Sequence, residues 1–201
     1  MIVKRNMDEL MDLPLENDWI AAAHVCACNP RKLPHYPVDW IPENCAHTAV
    51  ASPMSDPPEI AAVSPRPYTQ LNSGSVVLNP SLEILNDITT VIATSPAIAT
   101  YSFPDQDLLS DYFRGRWKPL SWRYNALKTL RIIHTPLWND DEVRCLHYIL
   151  HDKPWGSPRG TGGDYEEVNG WWWDLYEELG RDMRQSDPEG WELVDANVAH
   201  L

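Results

Sequence analysis

Nine of the chain's 18 prolines fall between Pro30 and Pro67, and that clustering restricts the fold more than any other feature. Proline fixes φ at about −65° and brings no amide hydrogen, so neither an interior helix nor a central strand tolerates it at this density. The segment reads as a long irregular connection, a kind that in a compact domain usually carries function or moves. Regular structure has to come from the sequence on either side.

On the N-terminal side, the apolar residues Met1 to Val3 read as a strand remnant. Asn6 can cap a short helix through Leu10 and Met11, with Asp8 and Glu9 in its first turn. Residues 19–25 form a second expected strand. On the C-terminal side, residues 73–78 read as a strand and Asn79-Pro80-Ser81 as a turn and helix start. Helical spacing of Leu82, Leu85, Ile88 and Ile92 predicts a helix over 82–93. A second helix is expected from Asp105 to Phe113 through Leu108, Leu109, Tyr112 and Phe113. A strand over 143–149 then leads into the loop 151–155. The Trp171-Trp172-Trp173 run begins a C-terminal helix whose apolar face docks on the core. Strands alternating with helices indicate an α/β architecture.

With 201 residues, 43% of them hydrophobic, the chain can bury one sizeable core. Its net charge of −13 lies mostly in residues 160–201, where two arginines face eleven acids. Such a surface repels nucleic acid and anionic membrane, so neither is expected as a partner. No stretch approaches the roughly 20 apolar residues that span a bilayer, and the N-terminus lacks the apolar run of a secretory signal. A cytoplasmic location follows as an expectation. There, Cys26, Cys28, Cys45 and Cys145 read as free thiols or metal ligands. His24, Cys26, Cys28, His35, Cys45 and His47 fall within 24 residues and could supply a tetrahedral zinc site. Cys-x-Cys departs from the usual zinc spacing, however, and Cys26 and Cys28 could equally share one face of a strand.

Chemistry concentrates in separate segments that occur in a fixed order: Leu71-Asn72-Ser73-Gly74, a polar turn opening a strand; Phe103-Pro104-Asp105-Gln106-Asp107 at a helix start; Tyr124-Asn125-Ala126-Leu127; and His147 through Lys153-Pro154-Trp155. In that order they resemble the retaining glycosyltransferases of family 8, which include glycogenin and plant galactinol synthase, over Met1 to about Trp155. The resemblance implies a GT-A (nucleotide-diphospho-sugar transferase, Rossmann-like) domain over residues 1–158, followed by an acidic, Trp-rich tail over 159–201. It implies hexosyl transfer from a UDP-sugar to a carbohydrate, polyol or protein acceptor, and a possible homodimer. His147 matches the family's imidazole metal ligand, for Mn2+ or Mg2+. Lys153 and Trp155 match its phosphate-binding segment. Asn72, Ser73 and Gly74 line the donor sugar in that family, and Asp105 and Gln106 occupy its catalytic positions. The leaving pyrophosphate makes the largest electrostatic demand of such a reaction, which a divalent cation and a lysine meet. Plainer roles exist for two of these residues: His147 as a satisfied core histidine, and Asp105 as a helix N-cap. Asp107 fits a first-turn stabiliser.

Phe103-Pro104 before Asp105 and Trp172-Trp173-Asp174-Leu175-Tyr176 resemble the galactinol synthase side of the family. Its Asp-x-Asp metal-binding strand has no counterpart, because Met1 to Leu10 looks like the segment that follows it. The first βαβ nucleotide-binding half is therefore expected to be missing, and the isolated chain to have little or no activity. The cysteine segment is expected to shape the acceptor side. Two other readings compete: a non-catalytic remnant that binds a partner through its tail, and a small zinc-binding protein.

Overall fold

Three consecutive alanines lie at the centre of the fold. In the computed structural model, which describes residues 1–199, strand β2 (Ile20–His24) is buried along its whole length. Small side chains there let neighbours approach both of its faces. The last two residues of the tail expected over 159–201 lie outside the described residues.

Strand β2 runs antiparallel to β3 (Leu71–Leu78), with Ile20 opposite Leu78 and Ala22 opposite Val76; the register then slips so that His24 faces Leu71. On its other side it runs parallel to β4 (Trp117–Leu120). A second three-stranded sheet has β6 (Cys145–His147) between β1 (Ile2–Val3), antiparallel, and β5 (Ala126–Leu127), parallel. Helix α1 (Leu82–Thr94) begins at Ser81, whose hydroxyl accepts from the Ile84 amide at 3.2 Å. Helix α2 (Pro104–Tyr112) starts on proline, which suits a first helical residue. The two helices cover one sheet, where Ile84, Ile88, Leu109 and Tyr112 pack on Ile20, Leu71, Phe113 and Trp117.

Several sequence expectations change. Residues 71–74 are the first half of β3 and not a turn. The strand expected over 143–149 is confined to Cys145–His147. In α1 the packed face is Ile84 and Ile88, whereas Leu82, Leu85 and Ile92 are exposed. The helix expected from Trp171 begins five residues earlier, as α4 (Glu166–Ser186). Strands β4 and β5, helix α3 (Leu130–Ile133) and helix α5 (Pro188–Asp195) had no counterpart in the sequence reading.

The proline-rich segment is irregular as expected, with short 3-10 turns at Pro42–Asn44, Ala46–Ala49 and Arg66–Thr69. Side chains supply what backbone ladders do not. Trp40 stacks on Phe103 at 5.1 Å between ring centroids, and its indole N–H donates to Gln70 Oε1 at 2.9 Å. The acidic tail joins the core through Val168, Trp171 and Trp172, which pack with Leu127, Leu146 and Tyr148. Tyr148 also donates its hydroxyl to the Val168 carbonyl at 2.5 Å. Helix α5 folds back so that Trp191 packs on Trp173 and Tyr176. Among the described residues no helix is long and apolar enough to cross a membrane.

Candidate functional site

One backbone amide sets the polarity of a chain of side-chain hydrogen bonds linking β3, α2, the 124–127 segment and β6. The Gly74 N–H donates to Asn72 Oδ1 at 3.1 Å. Because an amide N–H can only donate, it fixes which end of the Asn72 carboxamide is oxygen. Asn72 Nδ2 accordingly donates to Gln106 Oε1 at 3.2 Å, and Asn125 Nδ2 donates to Asn72 Oδ1 at 2.7 Å. That leaves Asn125 Oδ1 facing His147 Nδ1 at 2.9 Å. His147 therefore carries its hydrogen on Nδ1 and keeps a lone pair on Nε2, the arrangement of a metal-ligating imidazole.

Burial pushes the His147 imidazole down to about 4, and the positive charges of the chain's amino group and Lys153 add to it. The ring is neutral at pH 7. Gly74 is required beside it, since a Cβ at that position would overlap His147 Cε1 and Nδ1. Asp105 stands apart from this relay, and its carboxylate accepts from the Ser73 hydroxyl at 2.5 Å. It occupies the second position of α2, whose N-cap is Phe103 without side-chain capping. The expected alternative role of Asp105 as N-cap is thus not the one it takes. Asp107 closes the turn instead, accepting from the Ser102 and Phe103 amides at 2.9 Å each.

The Lys153 segment lies beyond the relay. Lys153 donates to the Tyr148 carbonyl, and burial lowers its pKa. Lys128, absent from the sequence reading, is fully buried and donates to the Asp152 carbonyl. Burial first, and then Lys153 and Arg31 nearby, push it down to about 8, against the opposing pull of Asp152. Arg31, from the proline-rich segment, pairs with the Asp152 carboxylate at 2.8 Å. Three cationic side chains thus converge on one loop. Within it Leu150 has φ of +67°, a left-handed conformation that costs a branched side chain energy. Trp155 packs against Tyr148 and Trp172, so its ring belongs to the seam with the tail.

Hard divalent cations such as Mn2+ and Mg2+ are held mainly by oxygen ligands. Among the described residues, no group of three or more His, Cys, Asp or Glu ligands includes His147. His147 Nε2 is suited to be one ligand, but the residues present do not complete a site for such an ion.

The cysteine segment behaves differently from its sequence neighbours. Cys26, Cys28 and Cys45 converge on His134, at the C-terminal end of α3. The three histidines expected to share a site with them do not. His24 Nε2 bonds the Pro58 carbonyl at 2.9 Å, His47 Nε2 bonds the His24 carbonyl at 3.1 Å, and His35 packs against Tyr36 and Phe103.

The model of Glycosyl transferase family 8 matches residues 1–158. Galactinol synthase 5 of Arabidopsis thaliana is 27% identical over 90% of this chain and 53% of its own length. Galactinol synthase 2 of Solanum lycopersicum is likewise 27% identical, over 90% of this chain and 52% of its own. Glycogenin of Neurospora crassa is 30% identical over 53% of this chain and 16% of its own. The chain spans about half the length of the galactinol synthases it matches. Among solved structures, the apo structure of the bifunctional glycosyltransferase WbbM is similar with a TM-score of 0.50 and 18% identity, over 78% of this chain and 28% of that one. That likeness bears on the fold alone, an α/β arrangement of the GT-A kind. Because the family match takes in β1 to β6 and both the Asn72–His147 relay and the Lys153 loop, the chain belongs to glycosyltransferase family 8.

Proposed function

We propose that this chain forms the donor-sugar side of a retaining glycosyltransferase site that draws a hexosyl group from a UDP-sugar. The observation that carries the reading is the relay from Gln106 through Asn72 and Asn125 to a neutral His147, with Lys153 close by. Carboxamides held at fixed polarity orient sugar hydroxyls, because each presents a donor and an acceptor in known places. Asp105, held by Ser73, is the carboxylate we place beside the anomeric carbon, either as the nucleophile on the face opposite the leaving group or as the stabiliser of a front-face attack assisted by the leaving phosphate. Ser73 and Gly74 bring the β3 backbone close to the sugar, and Lys153 offers positive charge to the departing phosphates.

A divalent cation would supply further charge neutralisation, with His147 Nε2 among its ligands. Since no group of three or more His, Cys, Asp or Glu ligands includes His147 among the described residues, we expect this polypeptide by itself to transfer sugar slowly or not at all. From its likeness to galactinol synthases we further propose a polyol or carbohydrate acceptor.

Isothermal titration of the 201-residue chain with UDP, with and without Mn2+, tests the reading. Binding that weakens at least several-fold in both His147→Ala and Lys153→Ala is expected. Undetectable binding by a folded chain would overturn it and favour a partner-binding role, for which the acidic exposed face of α4 is suited.

A further inference from the structure

Four soft or borderline ligand atoms from three distant parts of the sequence meet at one point. The sulfurs of Cys26, Cys28 and Cys45 and the imidazole nitrogen of His134 all lie within 4.8 Å of one another. Cys28, Cys45 and His134 are buried, and Cys26 is partly so. His134 Nε2 stands 3.2 Å from the sulfur of Cys28, 3.6 Å from that of Cys26 and 3.7 Å from that of Cys45.

Hydrogen bonding explains this arrangement poorly. A neutral imidazole nitrogen carries at most one hydrogen or one lone pair, so it can serve one sulfur well and not three. A tetrahedral ion explains it directly. With Zn–S of about 2.3 Å and Zn–N of about 2.0–2.1 Å, tetrahedral angles set S···N separations of about 3.5 Å, and the three observed values bracket that figure.

We propose that Cys26, Cys28, Cys45 and His134 bind one structural Zn2+ ion. Three thiolates and an imidazole at tetrahedral spacing select zinc over the hard, oxygen-seeking cations. Four protein ligands close the coordination shell and leave no position for substrate, so the ion's role is to hold the fold together.

What it holds is the proline-rich connection, which has short 3-10 turns but no helix or sheet ladder between β2 and β3. The ion ties the two ends of residues 26–45 to the residue that ends α3, across sequence separations of 89 to 108 residues. It thereby also steadies Arg31, which reaches from this connection to Asp152 beside Lys153. The site stands on its own observations, independent of donor binding.

The test is metal analysis of the 201-residue chain purified without added metal, by inductively coupled plasma mass spectrometry. About one equivalent of zinc is expected, retained in Cys145→Ser, whose thiol lies outside the cluster. Loss of at least tenfold in zinc content is expected in Cys28→Ser with His134→Ala. Because that double variant can misfold, the unaltered chain is also stripped with chelator and titrated with Co2+. Intense visible absorption from tetrahedral thiolate-bound cobalt, abolished by added Zn2+, supports the site. Absence of zinc together with absence of that absorption in a folded chain overturns it, as does unchanged zinc content in a folded double variant. UDP binding is measured separately, so failure of either idea leaves the other readable.

Discussion

The carbonyl oxygen of Asn125 lies 2.9 Å from Nδ1 of His147, and the same carboxamide's nitrogen is committed to Asn72. Replacing Asn125 by leucine removes both partners at once. The His147 N–H is left buried without an acceptor, a loss of about 1–3 kcal/mol. Urea unfolding of Asn125→Leu is expected to show this, with UDP affinity falling in parallel. Unaltered stability and binding would mean that the relay carries neither.

Gly74→Ala addresses the same ring from the other side. The added methyl would occupy the space of the imidazole, so His147 must turn away from Asn125. Overpacking of this kind costs about 1–3 kcal/mol. The accompanying sign should be a histidine resonance whose pKa returns toward 6.5 as the ring gains solvent, followed by NMR titration.

Leu150 predicts a gain. With φ at +67° it sits where glycine is free of Cβ strain. Leu150→Gly should be neutral to stabilising by up to about 1 kcal/mol, offset in part by greater backbone freedom in the unfolded chain. A clear loss in melting temperature would show that the half-buried leucine side chain contributes more than its backbone conformation costs.

Lys128 sets a pH dependence. Its pKa is about 8 when folded, against 10.5 when unfolded. Between those values the unfolded chain binds more protons, so stability rises with pH, and the cost of burying the charge is present in full below pH 8. Thermal melts at pH 7 and pH 10 should therefore show the unaltered chain gaining relative to Lys128→Met at the higher pH. An equal difference at both values would contradict the depressed pKa.

Much of the relay could be read from the sequence because Asn72, Gln106 and His147 stand in short motifs with helical or strand context. Asn125 also stood in a motif, but its role depends on the direction of a hydrogen bond, which no spacing reveals. His134 was illegible for a different reason: it lies 89 residues from the nearest cysteine in its cluster, so only the fold brings them together. Strand β4 contains Pro119, a residue that argues against a central strand. It is in fact an edge strand in the order β3-β2-β4, where a missing amide hydrogen is tolerated. In α1, periodicity identified a helix but not its packed face, since apolar residues occur on both sides.

The pairing of Ile2 with Leu146 and Val3 with Cys145 imposes an order in time. Among the described residues the sheet partner of those two lies more than 140 positions later in the chain, and Tyr148 finds its acceptor at Val168 later still. Contacts so distant in sequence slow folding. The sheet that carries His147 is therefore completed later in synthesis than the β3-β2-β4 sheet, whose strands end at Leu120.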